Sequence, residues 1–214
     1  MKKLKILYED KYLIAVFKKS HLPTIKDKNH VNNLYSEVYD YLHKKNQKVF
    51  IVHRLDADTS GIVLFAKNET VRNNLQVNWD NCIREYVCVV HGKINNKGVI
   101  KSYLKETKSL ISYSTNDKKN GKYAETFYER IDGSDKYSLV KINIKTGRKN
   151  QIRVHMKDNK TPIYGDKKYG INDKSKEMYL LANRLFFVHP ITRKRIDIKL
   201  DIPTNYLDMI KKEI

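Results

Sequence analysis

The 214-residue sequence predicts an α+β fold with a largely antiparallel sheet. Three observations support this prediction. Strand-like segments dominate and occur in adjacent pairs, helical segments lie between them at irregular intervals, and no Pro- or Gly-rich linker divides the chain. With 4 Pro and 8 Gly spread thinly, we expect one continuous domain over residues 1–214.

Short apolar runs bounded by charged or turn-forming residues predict the strands. A charged turn joins the first two, and the residues 132–135, Asp-Gly-Ser-Asp, predict a later hairpin. The predicted strands are Leu4–Tyr8, Tyr12–Phe17, Ile62–Ala66, Tyr86–Val90, Tyr123–Ile131, Tyr137–Ile144, Leu180–Val188 and Ile196–Leu200.

Four segments have the pattern of helices. In the first, apolar residues recur at helical spacing from Val31 to Leu42, and we expect Asn29 or His30 near its start. The other three are a polar stretch from Asn68 to about Asp80, Gln151–Asp158 after a turn at Gly147, and a terminal helix that Pro203 opens and that includes Leu207 and Ile210.

The charge balance of the chain is strongly basic. It has 43 Lys and Arg against 24 Asp and Glu, a net charge of +19. Such an excess favours a polyanionic partner, and nucleic acid is the commonest one. The chain is also rich in Lys, Asn, Ile and Tyr, so part of the charge fits the compositional bias of an AT-rich genome. The middle of the chain is closer to neutral than either end, as expected where basic surface surrounds a site.

Several classes of protein are disfavoured. The longest apolar run, Tyr12–Phe17, falls far below the ~18 residues that span a bilayer, and the N-terminus has no cleavage signal, so we expect a cytoplasmic protein. Cys82 and Cys88 are the only cysteines and are expected to be reduced. The histidines show no i, i+4 pairing and no P-loop occurs, so we expect neither a metal nor a cofactor.

Four polar stretches contain more charged and turn-forming residues than a core requires. Each also has an ordinary structural explanation, as a polar loop, a half-buried strand, a solvated helix start or a rigid loop. The stretch Gly147–His155 is explained least well in this way, because cations at a helix start oppose the helix dipole. The four stretches are His53–Gly61, Arg84–Tyr86, Gly147–His155 and Pro162–Gly170.

Together these stretches resemble the catalytic core of the RluA-type pseudouridine synthases. HRLDADTSG matches that family's H-R-L-D-x-x-T-S-G signature in full, and REYVCVVHG follows K-x-Y-x-A-x-V-x-G. GRKNQIRVHM and PIYGDKKYG follow the family's G-R-T-H-Q-I-R-V-H and P-I-x-G-D-x-x-Y-G. The resemblance runs in order from about Ile6 to Pro203. It implies the pseudouridine synthase fold, a central mixed, mainly antiparallel sheet with flanking helices and an RNA-binding cleft.

The departures from the family pattern are local. The family's N-K-P-A-G is replaced by Phe17–His21, its Thr-His before Gln151 by Lys149-Asn150, and an Ala by Cys88. None removes a residue that is expected to react. The sequence leaves no room for the N-terminal S4 RNA-binding domain of many relatives, so we expect a stand-alone catalytic domain.

The resemblance implies the reaction and its catalytic residues. The N1–C1′ bond of a uridine in RNA is broken, the base turns, and it is rejoined through C5, with no cofactor. The family assigns the essential carboxylate to the position of Asp56 and its ion-pair partner to that of Arg153, whose charge persists at any relevant pH. Tyr86 matches the tyrosine that can stack on the uracil and assist proton transfer.

RNA contacts are expected from the same motifs. Moving the target base out of its stack costs a few kcal/mol of free energy. Arg54 is a candidate to fill the vacated position with its planar guanidinium. We also expect Thr59, Arg148 and Gln151 to contact RNA. The predicted partner is rRNA or tRNA, without a membrane, and the predicted state is a monomer.

Two other functions fit parts of the sequence. A non-catalytic RNA-binding or ribosome-assembly factor on the same fold would keep the basic surface without needing Asp56. A small-molecule enzyme with a basic surface is the third hypothesis, and RNA binding that does not respond to salt would favour it.

Overall fold

The computed structural model describes residues 4–26 and 32–211. The strands among these residues are β1 (Ile6–Glu9), β2 (Leu13–Lys18), β3 (Phe50–Ile51), β4 (Ser60–Ala66), β5 (Ile83–His91), β6 (Lys97–Glu106), β7 (Ser112–Thr115), β8 (Lys122–Gly133), β9 (Tyr137–Ile144), β10 (Leu180–Val188) and β11 (Arg195–Lys199). The helices are α1 (Leu34–His43), α2 (Glu69–Val77), α3 (Gln151–Asp158) and α4 (Thr204–Ile210), and a 3₁₀ turn covers Trp79–Asn81.

The chain forms two compact units. The first contains the described residues up to Ile83 together with Ala182–Leu200, and the second contains Arg84–Leu181 and the described residues from Asp201 onward. Strands outnumber helices among the described residues, and the pairings β1–β2, β2–β4, β6–β8 and β8–β9 are antiparallel. The predicted α+β class with a mainly antiparallel sheet is therefore confirmed.

The sheet of the first unit has the strand order β1–β2–β4–β10, with β3 beside β4 and β11 beside β10. β2 and β4 run antiparallel from Leu13 opposite Ala66 to Lys18 opposite Gly61. All four residues of Leu13–Val16 are fully buried, because β2 is covered on both faces. This explains why the segment is a continuous apolar run rather than an alternating one.

The sheet of the second unit has the strand order β5–β9–β8–β6–β7. β8 and β9 form the predicted hairpin, and the register shifts between Arg130 and Asp132. One face of this sheet packs with α3 in a core that includes Cys88, Val140, Ile142, Ile152 and Met156. The opposite face of β6 and β8 carries exposed side chains.

The helices agree with the predicted segments, with one shifted start. The side chain of Asn33 accepts a hydrogen bond from the Ser36 amide at 2.9 Å and begins α1. The expected starting residues Asn29 and His30, and Val31 with them, lie outside the described residues. α3 has the predicted bounds, and Pro203 precedes α4 as expected.

Three strands were not predicted from the sequence. β3 has only two residues. β6 alternates exposed lysines with half-buried residues, so its apolar content is too low to stand out, and β7 has only four residues. β3 pairs with β4, β6 with β8 and β7 with β6, and these pairings give the three strands a stability that their own composition does not provide.

Both cysteines are free and buried, in agreement with the expected reduced state. Burial raises the pKa of the Cys88 thiol above its usual range. No helix within 4–26 and 32–211 is long and apolar enough to cross a membrane.

Candidate active site

Asp56 lies in a tight loop between β3 and β4, in the first unit. The amide of Thr59 donates to the carbonyl of Asp56 at 3.1 Å, so the backbone turns back directly after the aspartate. Asp56 is half-buried, and the flanking Leu55 and Thr59 are buried at 8% and 3% exposure. The loop thus presents its carboxylate from an anchored backbone.

Lys18 at the end of β2 is the main anchor of this loop. Its side chain is fully buried, and its ammonium donates to the carbonyls of Lys19 at 3.0 Å, Leu22 at 2.6 Å and Ala57 at 2.8 Å. Three carbonyls match the three N–H groups of an ammonium. Lys18 therefore joins the loop after β2 to the residue that follows Asp56.

The charge of Lys18 also acts on the loop. Burial lowers the pKa of Lys18 to about 7, while the negative charges of Asp56 and Asp58 act in the opposite direction and raise it. The buried ammonium therefore lies in the electrostatic field of the loop that carries Asp56.

Two further contacts fix the start of the loop. The Thr24 hydroxyl donates to the Leu55 carbonyl at 2.8 Å, and the Leu55 amide donates to the Thr24 hydroxyl oxygen at 3.1 Å. His53 accepts the Leu64 amide at Nε2 over 3.0 Å, and its ring stacks on Trp79 at 4.6 Å between centroids. These contacts account for His53 in the motif as a structural residue.

Arg54 and Thr59 differ in their accessibility. Arg54 is exposed and makes no hydrogen bond or ion pair within the part of the chain that the structure describes, as a side chain available to RNA requires. Thr59 is buried, and its observed amide bond belongs to the turn. The geometry therefore favours a positioning role for Thr59 over the expected direct contact.

Tyr86 lies in the second unit, on β5. It pairs with Ile142 of β9, is half-buried, and packs on the apolar core of that unit. The core contact fixes the direction of the ring, and the partial exposure leaves some of it accessible.

Arg153 lies in the first turn of α3 and is 4% exposed. Its Nε donates to Asp166 Oδ2 at 2.8 Å and its Nη2 to Asp166 Oδ1 at 2.7 Å, which is a bidentate ion pair. Burial raises the pKa of Asp166, but the hydrogen bonds and charge of Arg153 outweigh it and lower the pKa overall. A third contact runs from Nη1 to Asn150 Oδ1 at 3.4 Å.

Asn150 begins α3 in a left-handed conformation with φ of 54°. Asparagine tolerates this conformation better than most residues do. Its amide nitrogen donates to the Tyr169 hydroxyl at 3.1 Å, and Arg153 lies over the Tyr169 ring at 5.2 Å. Asn150, Tyr169 and Asp166 therefore surround Arg153 and hold its orientation.

Gln151 and Arg148 precede Arg153 at the same turn. Gln151 is 3% exposed, accepts from the Thr146 hydroxyl and the Arg148 amide, and donates to the Glu125 carbonyl and the Thr126 hydroxyl. Its amide is saturated, so the geometry favours a structural role over the expected RNA contact. Arg148 is exposed, and its Nε donates to the Tyr123 carbonyl at 2.9 Å.

Sequence reasoning missed Lys18, Asp166 and Tyr169 as residues that support the site. A lysine inside the run Leu13–Lys18 was a signal for Lys18, because it continues a buried strand. The GDKKYG segment matches the family pattern, but nothing in its sequence indicates that its Asp166 pairs with Arg153. Among the described residues no cluster of three or more His, Cys, Asp or Glu side chains is arranged to hold a metal ion.

Comparison with known proteins adds to this geometry. Residues 12–158 match the family described as RNA pseudouridylate synthase. The chain is 33% identical to an uncharacterized RNA pseudouridine synthase of Mycoplasma genitalium, over 98% of this chain and 70% of that protein. It is 32% identical to the ribosomal large subunit pseudouridine synthase C of Rickettsia typhi, over 92% of this chain and 68% of that one. It is also 32% identical to the tRNA pseudouridine synthase C of Pasteurella multocida, over 97% of this chain and 95% of that protein.

A solved structure has the same fold. Human RNA pseudouridylate synthase domain containing 4 superimposes with a TM-score of 0.78 over 95% of this chain and 90% of that one. The sequence identity is 20%, so this likeness concerns the fold.

Proposed function

Because this chain belongs to the RluA-type family of RNA pseudouridine synthases, we propose that it isomerises uridines of rRNA, tRNA or both to pseudouridine, with Asp56 as the essential carboxylate. The observation that supports this most directly is the loop of Asp56. The backbone that presents this half-buried residue is held by a turn and by the three bonds of the buried Lys18.

The reaction needs no atoms beyond those of the substrate and water. The N1–C1′ bond breaks and a C5–C1′ bond forms, the proton at C5 passes to solvent, and N1 gains a proton. A carboxylate suits this sequence as a nucleophile or a base, because it reacts without delivering water to the sugar. Lys18 and the turn at Thr59 hold the backbone on which Asp56 stands, which reduces the entropy lost on reaching the transition state.

The residues of the second unit are proposed to assist. Arg153 is held by Asp166 and Asn150. Its guanidinium stays charged at any relevant pH, and on the family resemblance we propose it as the ion-pair partner of the essential carboxylate. Tyr86 is proposed to stack on the target uracil and to assist proton transfer. Arg54 is proposed to replace the flipped base in its stack.

The choice between rRNA and tRNA is also a proposal. One relative is described as acting on the large ribosomal subunit and another on tRNA, at the same 32% identity. Both RNA classes therefore belong in the test.

Release of hydrogen from C5 tests this function. RNA labelled with tritium at C5 of uridine would be prepared from cells that lack the gene and separated into rRNA and tRNA fractions. We expect the protein to release tritium into water from at least one fraction. Absence of release from both fractions, with RNA binding intact, would instead support the non-catalytic RNA-binding factor.

A further inference from the structure

The open face of the second unit contains a pocket that the proposed reaction does not use. Its volume is about 460 Å³, and its walls come from β6, β7, the start of β8 and the turn between β7 and β8. That volume is within the range of ligand sites, roughly 300–1,000 Å³. It therefore has room for a nucleobase with its ribose.

Three cross-strand neighbours form one side of the pocket. Tyr103 of β6 pairs with Thr115 of β7 on one side and with Tyr123 of β8 on the other, so the three side chains share a face. The Tyr103 and Tyr123 rings meet edge to face at 5.7 Å. The Tyr123 hydroxyl donates to Glu125 at 3.1 Å, yet the residue remains 38% exposed. An oriented, accessible aromatic ring is a surface on which a base can stack.

The turn after β7 forms the rim and is ordered by its own contacts. Asp117 accepts the amides of Lys119 and Asn120 at 3.1 Å each, and Lys105 at 3.2 Å. The exposed Asn116 and Lys118 flank Asp117 and line the pocket. The rim thus offers an amide and an ammonium from a backbone that needs no ligand to take its shape.

The opposite face of the same strands is tied to α3. Ser102 and Ser114 also line the pocket, but Ser102 pairs with Ala124 and Ser114 with Leu104, so their side chains lie on the face opposite the Tyr103 and Tyr123 rings. There the Ser102 hydroxyl lies 2.9 Å from His155 Nε2 and 3.2 Å from the Ser114 hydroxyl. These bonds hold β6 and β7 in place behind the pocket.

The charges around the pocket favour an anion. Glu125 is paired with Lys101 at 3.3 Å and Asp117 with Lys105, and Asp158 accepts from Ser114. Lys118, Lys119 and Lys122 are exposed, and the described residues offer them no ion pair. The rim keeps a surplus of positive charge, which suits a phosphate.

We propose that this pocket binds one unpaired nucleotide of the substrate RNA, with the base on Tyr123 and a phosphate at Lys118. An accessible aromatic face beside an exposed cation is an arrangement with which proteins hold single-stranded RNA. Arg148, an expected RNA contact, is bonded to the Tyr123 backbone, so the pocket adjoins the helix start of the candidate site. The inference rests on the proposed function for its ligand, since the polymer is taken to be RNA.

Direct binding of a single-stranded oligouridylate tests the pocket without requiring catalysis. We expect Tyr123→Ala to weaken binding at least about fivefold, the lower end of the loss for one stacked base, and Tyr123→Phe to bind as the wild type does. Lys118→Ala should weaken binding and reduce the slope of log affinity against log salt by about 0.7. Tyr113→Ala and Lys108→Ala are matched controls, because both residues are exposed in the same unit and lie outside the pocket.

Three results would overturn the pocket proposal. One is oligouridylate binding by Tyr123→Ala equal to that of Tyr113→Ala. The second is that Tyr123→Ala loses as much affinity for a fully paired RNA duplex as for oligouridylate, since the protein would then contact phosphates and not an unpaired base. The third is equal wild-type affinity for uridine monophosphate and for oligouridylate. Tritium release is measured separately, so failure of the proposed function leaves these binding results interpretable.

Discussion

Lys18 shows how a single buried residue can support a catalytic loop. We expect Lys18→Met to lower the free energy of unfolding by about 1–3 kcal/mol, because three carbonyls lose their donor while the cost of burying a charge is relieved. It should also slow tritium release. Urea unfolding and the release assay measure the two effects. Lys19→Met is the matched control, since Lys19 is adjacent and exposed, and an equal effect of both variants would contradict this role.

The ion pair of Arg153 and Asp166 is buried, with side chains 5% and 1% exposed. Asp166→Asn should lower the free energy of unfolding by about 3–5 kcal/mol, because it removes the carboxylate charge from a buried ion pair and leaves the guanidinium buried. The pair of Arg184 and Asp197 is also bidentate but about 30% exposed, so Asp197→Asn should cost less than about 1 kcal/mol. Urea unfolding of both variants measures the difference, and similar costs would refute the argument.

His155 predicts a pH dependence of stability. Burial lowers the pKa of His155 to about 4, against the charge of Asp158, while the unfolded value is about 6.5. Between these values the unfolded chain takes up a proton that the folded chain does not, so the free energy of unfolding falls as the pH falls. From pH 7 to pH 5 this amounts to about 2 kcal/mol. In urea unfolding His155→Gln should remove that part of the decrease, and an unchanged decrease would show that His155 is not its source.

The residues of the site differ in how far sequence could predict them. Asp56, Arg54 and Arg153 stand in motifs that match the family pattern, and it is this resemblance that predicts their roles. The partners of Arg153 could not be derived in that way, because Asp166 reaches it through folding of a separate loop. The burial of Thr59 and Gln151 was missed for a related reason, since a polar residue in a motif looks the same whether it faces a ligand or its own backbone.

At the level of elements, the packing of β4 explains why the HRLDADTSG motif ends in a glycine, Gly61. Its φ is +127°, and a Cβ there would overlap the backbone of Ala182. We expect Gly61→Ala to lower the free energy of unfolding by more than about 3 kcal/mol, because conformational strain and overlap act together. Gly92 also has a positive φ, of +76°, but open space around its Cβ position. Gly92→Ala should therefore lower the free energy of unfolding by only about 1–2 kcal/mol. Thermal unfolding of both variants measures the difference, and equal costs would refute the role of overlap.

The sequence predicted best those elements that have a strong apolar pattern or a clear boundary. β10 has the predicted bounds because it is a continuous run of mostly apolar residues, and α3 has them because it follows the turn at Gly147. β6 was missed because its exposed face carries Lys97, Val99 and Lys101. A strand stabilised mainly by its neighbours leaves a weak signal in its own residues, and here that strand contributes to the proposed nucleotide pocket.

For the whole molecule, the sequence predicted the α+β class and the family, since the motifs run through most of the chain in order. It did not predict the division into two compact units, because the first unit is completed by Ala182–Leu200, far along the chain. The net charge of +19 pointed to a polyanion without giving its place. The structure adds a specific surface, with unpaired lysines beside an aromatic pocket.

The central claim is that Asp56 carries out the isomerisation, and a comparison of two neighbouring aspartates tests it most directly. Tritium release from C5-labelled RNA would be measured for the wild type, Asp56→Asn and Asp58→Asn, after thermal unfolding has shown that all three are folded. Asp58 is 41% exposed and bonded to His21 at 3.2 Å, so it shares the loop without the proposed role. We predict release by the wild type and Asp58→Asn and none by Asp56→Asn. Undiminished release by Asp56→Asn would contradict the mechanism.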